Sequence, residues 1–199
     1  RPPFVVSMDA DISFEPDFFE RLLGEFAADE RLGIASGSGW EISNGVWKQR
    51  HLTGSTVWGA ARAYRRACLE DVLPFEERLG WDGIDEFKAN ARGWTTRTVV
   101  DIPFHHHRPE GARDGSWRMR VDQGKAAHYV GYRPWYLALR ALHHARRQPS
   151  ALALLWGYVS VVGRSDRLPD PAARAYVRRQ QSLRNVPLRA REVLGRRAA

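Results

Sequence analysis

Residues 4–8 (Phe-Val-Val-Ser-Met) are a short apolar run that predicts a buried β-strand, and two carboxylates, Asp9 and Asp11, follow it at once. Phe14-Glu15-Pro16-Asp17 reads as a helix start with Pro16 near the first turn, and Phe18, Leu22, Leu23 and Phe26 then recur as one apolar helical face up to about Ala28. Residues 33–36 predict a second short strand, followed by the Gly- and Ser-rich Gly37-Ser38-Gly39, and residues 40–47 a further strand. A helix is expected over 60–73, ended by Pro74, and another over 85–92, ended by Gly93. The β-branched run 95–102 predicts a strand that delivers Phe104 and His105-His106-His107 to its end. Strands alternating with helices imply an α/β sheet.

Beyond Pro109 the pattern becomes helical and arginine-rich, with helices expected over 116–129, 135–147, 150–162 and 171–183 and a basic, frayed stretch over the last fifteen residues. The change divides the chain into residues 1–112 and a helical extension, 113–199. At 199 residues one core with a tail is expected rather than two independent cores.

Hydrophobic residues make 43% and charged residues 27%, which excludes a disordered, collagen-like or polytopic membrane protein. The single cysteine, Cys68, excludes an intramolecular disulfide and a multi-cysteine zinc site, and fits a reducing compartment. Arg1-Pro2-Pro3 leads straight into the first strand, so no signal peptide is read there and the start looks interior. The longest apolar stretch near the other end, 151–163, is too short to span a bilayer and suits a buried or interfacial segment.

The net charge of +8 is unevenly placed: residues 1–101 hold 12 Lys+Arg against 17 Asp+Glu, residues 102–199 hold 19 against 6. A basic second half implies anionic company, which composition alone leaves as phosphorylated substrate, acidic membrane or nucleic acid. Only Lys48, Lys88 and Lys125 among the 31 basic residues are lysines, a skew that GC-rich coding explains as well as bidentate phosphate contact does.

Three clusters can carry chemistry. Asp9 and Asp11 sit at the carboxyl end of a strand, where open α/β sheets bind ligands, and two carboxylates two residues apart can share one Mg²⁺ or Mn²⁺ that bridges phosphate oxygens. The bland alternative is an acidic pair that caps the following turn. The second cluster, Asp82, Asp85 and Glu86, opens a helix. A solvated first turn in the helix dipole accounts for Asp85 and Glu86, whereas Asp82, between Trp81 and Gly83, reads as a general base. In the third, an imidazole of His105-His106-His107 can complete a metal shell with Arg108 turned to phosphate, although alternation along a strand lets at most two of the three face one site.

Taken in order, the strand, Asp9-Ala10-Asp11, the helix, Gly59 to Arg66 (GAARAYRR), Gly80 to Trp94 (GWDGIDEFKANARGW) and Phe104 to Pro109 (FHHHRP) resemble the family 2 glycosyltransferases. The likeness covers about residues 4–135 and rests on the order and spacing of pieces that are individually common. It implies a partial GT-A, Rossmann-like sheet, a nucleotide-sugar donor, a divalent cation and an inverting transfer to a glycan or lipid-linked acceptor, as in cell-envelope biosynthesis. By the same resemblance Asp9 and Asp11 hold the cation on the donor diphosphate, Asp82 is the catalytic carboxylate with Asp85 its rival, and His106 or His107 lies near metal or phosphate. Trp81 departs from the pattern, since many members have Glu there. A second departure is at the front, where members carry strands that grip the base and ribose.

Other readings are a membrane-docked or inactive partner of a transferase, an Asp-nucleophile phosphohydrolase and a nucleic-acid-binding module. The second is opposed by Ile12-Ser13-Phe14 and by the scarcity of lysine. The third finds stacking candidates in Trp117, Tyr129, Tyr132, Trp135 and Tyr136 but no accompanying motif, so no nucleic-acid partner is expected. Arginines between Arg113 and Arg147 next to the apolar 151–162 suit peripheral contact with an anionic membrane at the inner face of a bacterial plasma membrane. Alternatively Leu152, Leu155, Trp156 and Val159, at helical spacing, pack on the sheet.

Overall fold

The computed structural model describes residues 1–43, 45–50, 56–78, 80–108, 116–146, 148–185 and 187; Pro109, Arg113, Arg147 and nearly all of the last fifteen residues fall outside these. The chain forms two compact units, one of Arg1–Phe75 with Lys88–Glu110 and one of Glu76–Phe87 with Gly111–Ala199.

The first unit is a mixed α/β structure. Its strands are β1 (Phe4–Met8), β2 (Ile12–Phe14), β3 (Leu32–Ser43), β4 (Val46–Gln49), β5 (Ala61–Arg65) and β6 (Thr95–His106), with helices α1 (Phe18–Ala28) and α2 (Arg66–Val72). The sheet runs β1-β5-β3-β6-β2, with β4 paired to the far end of β3. Among the described strands only β3 and β6 are parallel; the other pairings are antiparallel. β1 is therefore an edge strand rather than a buried one, with Val6 and Met8 exposed.

Other expectations change as well. Residues 60–73 are not one helix: 61–65 form β5, and only 66–72 are helical. The alanine-rich segment takes the strand because Ala61 and Ala63 pack into the core and Arg62, fully buried, donates to the Val57 carbonyl. Residues 33–36 and the expected loop after them belong to one twelve-residue strand, β3. There, glycine permits close approach: a Cβ on Gly37 would lie 2.0 Å from the Ile102 carbonyl oxygen, and one on Gly39 2.1 Å from the Trp58 ring. Finally β6 runs on to His106, four residues beyond the predicted end.

α1 buries Phe18, Leu22 and Phe26 against Leu32, Ala35, Ala61, Ala63, Ile102 and Phe104. Its last carbonyls need donors, and the Arg65 guanidinium supplies them, donating to the carbonyls of Phe26 (2.6 Å) and Asp29 (3.0 Å) as well as Leu32 (3.0 Å). This fastens the end of β5, where Arg65 pairs with Phe4 of the edge strand β1, to the helix.

α3 (Trp81–Ala91) begins four residues before the expected start and contributes to both units, its residues from Lys88 onward grouping with the first. The second unit is otherwise helical: α4 (Ser116–Tyr129), α5 (Pro134–Ala145), a 3₁₀ turn at Pro149–Leu152, α6 (Ala153–Val159) and α7 (Pro171–Gln180), capped by the Asp170 side chain on the Ala173 N–H. α4 and α6 cross backbone to backbone. A Cβ on Gly124 would stand 2.1 Å from the Leu154 carbonyl oxygen, and one on Gly157 2.0 Å from that of Val121. Around the crossing Ala127, Leu137, Ala141, Leu154 and Tyr158 form a small apolar core. No helix among the described residues is long and apolar enough to cross a membrane.

Candidate functional site

The turn after β1 is stitched on both sides. The Asp9 N–H donates to the Ala60 carbonyl (2.9 Å), and the His107 N–H donates to the Asp11 carbonyl (2.9 Å). β2 then pairs with the end of β6, placing Ile12 opposite His106. Backbone hydrogen bonds thus bring the acidic turn to the histidine run.

His106 is buried, 8% exposed, and its two ring nitrogens have different neighbours. Nε2 lies 3.4 Å from Asp11 Oδ1 and 3.9 Å from Asp9 Oδ2. Nδ1 lies 3.3 Å from Glu41 Oε1. A carboxylate thus faces each ring nitrogen, Glu41 at Nδ1 and the two aspartates at Nε2; with a cation on the aspartates, a proton on Nδ1 held by Glu41 would leave the Nε2 lone pair to ligate. One ligand atom from each of Asp9, Asp11 and His106 lies within 4.8 Å of the others. The Trp58 ring closes one side of His106 at 4.9 Å and carries the Arg50 guanidinium, 4.4 Å from its centroid.

Glu41 meets His106 through the β3–β6 register. Gly37 pairs with Val99 but Ser38 pairs with Pro103, so Val100, Asp101 and Ile102 have no partner on β3. The bulge is pinned by Ser38 Oγ donating to the Val100 carbonyl (2.8 Å) and Arg21 donating to that of Asp101 (2.6 Å). Beyond it the register places Glu41 opposite His106. Two carboxylates and an imidazole whose other nitrogen is held by a third carboxylate form a donor set suited to a divalent cation. The Asp9 side chain is 56% exposed and that of Asp11 29%, leaving one side of the group open to ligand oxygens.

His107 and His105 turn to the opposite side of the strand, as alternation requires. His107 Nε2 lies 2.8 Å from Ser13 Oγ, and both rings sit at the edge of Trp47, 4.5 Å away for His105 and 5.6 Å for His107. Of the three histidines, His106 is the one brought up to the aspartates. The exposed Arg108 reaches back to Asp11, with Nε 3.6 Å from Oδ2. Asp82 and Asp85 stand on α3 in the part grouped with the second unit. Asp82 is half-buried and its Oδ1 accepts from the Gly83 N–H at 3.1 Å. The expectation of a solvated first turn does not hold, because Asp85 and Glu86 are 2% and 6% exposed. Glu41 and Trp58 were not singled out by the sequence; the only signal for Glu41 was its place on the strand after Gly39.

In the second unit a cavity of about 350 Å³ is lined by Arg78, Asp122, Lys125, His128, Tyr129, Arg164 and Asp166 among others. Arg78 pairs with Asp166 (3.3 Å) and stacks 3.4 Å over Tyr129, whose hydroxyl donates to Glu76 Oε2 at 2.5 Å. Burial, with the Glu76 hydrogen bond second, pushes the Tyr129 hydroxyl up to about 12. Burial and then the Arg167 charge hold His128 below its ordinary value, against the opposing pull of Asp166.

No protein-family model and no curated protein matches the chain. Among solved structures, a mannosyltransferase from Pyrobaculum calidifontis, PcManGT, determined in complex with GDP-Man and Mn²⁺, is similar with a TM-score of 0.46 at 15% sequence identity. The match covers 96% of this chain and 55% of that one, so this chain spans about half the length of the mannosyltransferase.

Proposed function

We propose that the chain is the catalytic and acceptor part of an inverting glycosyltransferase of the GT-A, family 2 kind, moving a sugar from a nucleoside-diphosphate donor to an acceptor hydroxyl on a glycan or lipid-linked carrier. The observation that carries the reading is His106, with Nδ1 on Glu41 and Nε2 turned to Asp9 and Asp11 at the end of β1. That arrangement, together with the motif order along the chain, supports a Mg²⁺ or Mn²⁺ site held by Asp9, Asp11 and His106. A cation so held supplies charge stabilisation for a departing diphosphate. Arg108, paired with Asp11, is placed to exchange that carboxylate for a phosphate oxygen.

Transfer by this reading is a single displacement. Asp82 takes the proton of the acceptor hydroxyl, the oxygen bonds to the anomeric carbon, and the bond to the diphosphate breaks with its electron pair leaving on the phosphate oxygen. Asp82 is favoured over Asp85 as base because Asp85 is 2% exposed whereas Asp82 is only half-buried. The reaction belongs to the cytoplasmic side of the cell, in envelope-glycan synthesis.

The test is donor turnover with Mn²⁺, followed as release of nucleoside diphosphate in the presence of an acceptor. Asp82→Asn should lower kcat by roughly 10²- to 10⁴-fold with donor affinity unchanged. A larger loss in Asp85→Asn would transfer the base assignment, and no turnover of any nucleotide sugar would refute the activity.

A further inference from the structure

α6 uses one face for the crossing with α4 and leaves the other without cover. Gly157 meets the Val121 backbone, and Ala153, Leu154 and Tyr158 are buried with it. The opposite side carries Leu152, Trp156 and Val159, 44%, 65% and 63% exposed, and Val162 continues the row just past the helix at 61%. Leu152, Trp156 and Val159 therefore do not pack on a sheet; Leu155 alone of the four predicted packing residues joins the apolar core at its edge. On the neighbouring α5, Leu139 and Leu142 are also exposed, at 54% and 57%.

The stretch that carries this row is basic along the sequence, with Asp122 and Asp166 at its two ends and in the same cavity lining as Arg164. From Gln123 to Ser165 the sequence holds no carboxylate and six Lys or Arg residues. Arg140, Arg146 and Arg164 are exposed, and none has a carboxylate partner among the described residues. Arg120 reaches Gln123 Oε1 (3.0 Å) and Gln148 Oε1 (3.1 Å), both neutral, and stands close enough to Arg140 for the two cations to repel. Exposed apolar side chains on α5 and α6, with exposed guanidiniums on α5, at its C-cap and just past α6 that have no carboxylate partner among the described residues, are complementary to a surface that is greasy beneath and anionic on top.

We infer that α6 and the residues flanking it form a docking face for an anionic lipid bilayer, with Leu152, Trp156, Val159 and Val162 entering the headgroup boundary and Arg140, Arg146 and Arg164 engaging lipid phosphates. A second copy meeting this one through the same face would set these arginines against one another, which favours the bilayer. The face stands apart from the transferase reading, since lipid contact needs neither donor nor cation.

The experiment is co-sedimentation of the whole chain with phosphatidylcholine vesicles, with and without phosphatidylglycerol, at low and high salt and with no nucleotide present. Binding should require phosphatidylglycerol and weaken at high salt. Arg140→Gln with Arg164→Gln should lower the partition coefficient by roughly fivefold per arginine, and Trp156→Ser by roughly tenfold, all with unchanged melting because these side chains are exposed. Equal binding to neutral and anionic vesicles, binding to neither, or full anionic binding by Trp156→Ser would overturn the inference. Light scattering that shows a dimer split by Trp156→Ser would overturn it too, by giving the face to a second copy.

Discussion

Gly157→Ala and Gly24→Ala make the same chemical change in two helices and should have opposite signs. In an open helix, alanine in place of glycine gains about 1 kcal/mol from reduced backbone entropy loss. At Gly24 in α1 nothing lies within 4 Å of the added methyl, so the gain should appear in full, as a rise of a few degrees in Tm. At Gly157 the methyl would stand 2.0 Å from the Val121 carbonyl oxygen and 2.7 Å from its carbon. A comfortable C···O contact is about 3.3 Å, so α4 and α6 would have to part by roughly 1.3 Å. Both sides are backbone and no side chain can rotate away. Overpacking of this kind costs about 3 kcal/mol at the upper end of its range, leaving a net loss of about 2 kcal/mol after the propensity gain and a fall of roughly 10 °C in the melting of the helical unit. Thermal unfolding followed by circular dichroism reads both. A Gly157→Ala protein as stable as its parent would show that the two helices do not cross in contact, and with that the outward aim of the Trp156 row would lose its basis.

Glu41→Gln keeps the shape of the side chain but removes the charge that orients His106, and should weaken Mn²⁺ binding 10- to 100-fold while leaving melting nearly unchanged; unchanged affinity by calorimetry would remove Glu41 from the site. Tyr129, 4% exposed, titrates near 12 in the folded chain against 10.0 ordinarily. Its neutral form is therefore favoured by folding, the contribution is complete below pH 10, and up to about 2–3 kcal/mol is lost as pH rises from 10 to 12. Tyr129→Phe should be less stable than its parent at neutral pH and lose less stability over that alkaline range, and equal alkaline slopes for the two proteins would contradict the burial and hydrogen bonding that hold the Tyr129 hydroxyl neutral.

Much of this was legible along the chain. The apolar run ending in Asp9 and Asp11 fixed the first strand and its acidic turn, and Ser116–Tyr129 was read with both ends in place. Local pattern failed where tertiary contacts decide. In β5 both faces are buried, with Ala61 and Ala63 on one and Arg62 and Tyr64 on the other, so no apolar–polar alternation marks the strand and its alanines read as helix. Gly37 and Gly39 look like loop residues until the Ile102 carbonyl and the Trp58 ring fill the space their side chains would occupy. Glu41 is 65 residues from His106 and meets it only through a parallel register offset by the β6 bulge, which no one-dimensional spacing encodes. The choice of His106 over His107 likewise depends on which way the strand alternates at its end.

Asp9, Asp11 and His106 are proposed to hold a divalent cation that binds diphosphate. Titration of Mn²⁺ into the intact chain with inorganic pyrophosphate present, followed by loss of the free-ion electron paramagnetic resonance signal, measures this directly. One pyrophosphate-linked Mn²⁺ site is expected, lost in Asp11→Asn and retained in Asp17→Asn, at an exposed carboxylate in the same unit. An Asp11→Asn protein that binds Mn²⁺ and pyrophosphate as its parent does, or a parent that binds neither, would contradict it.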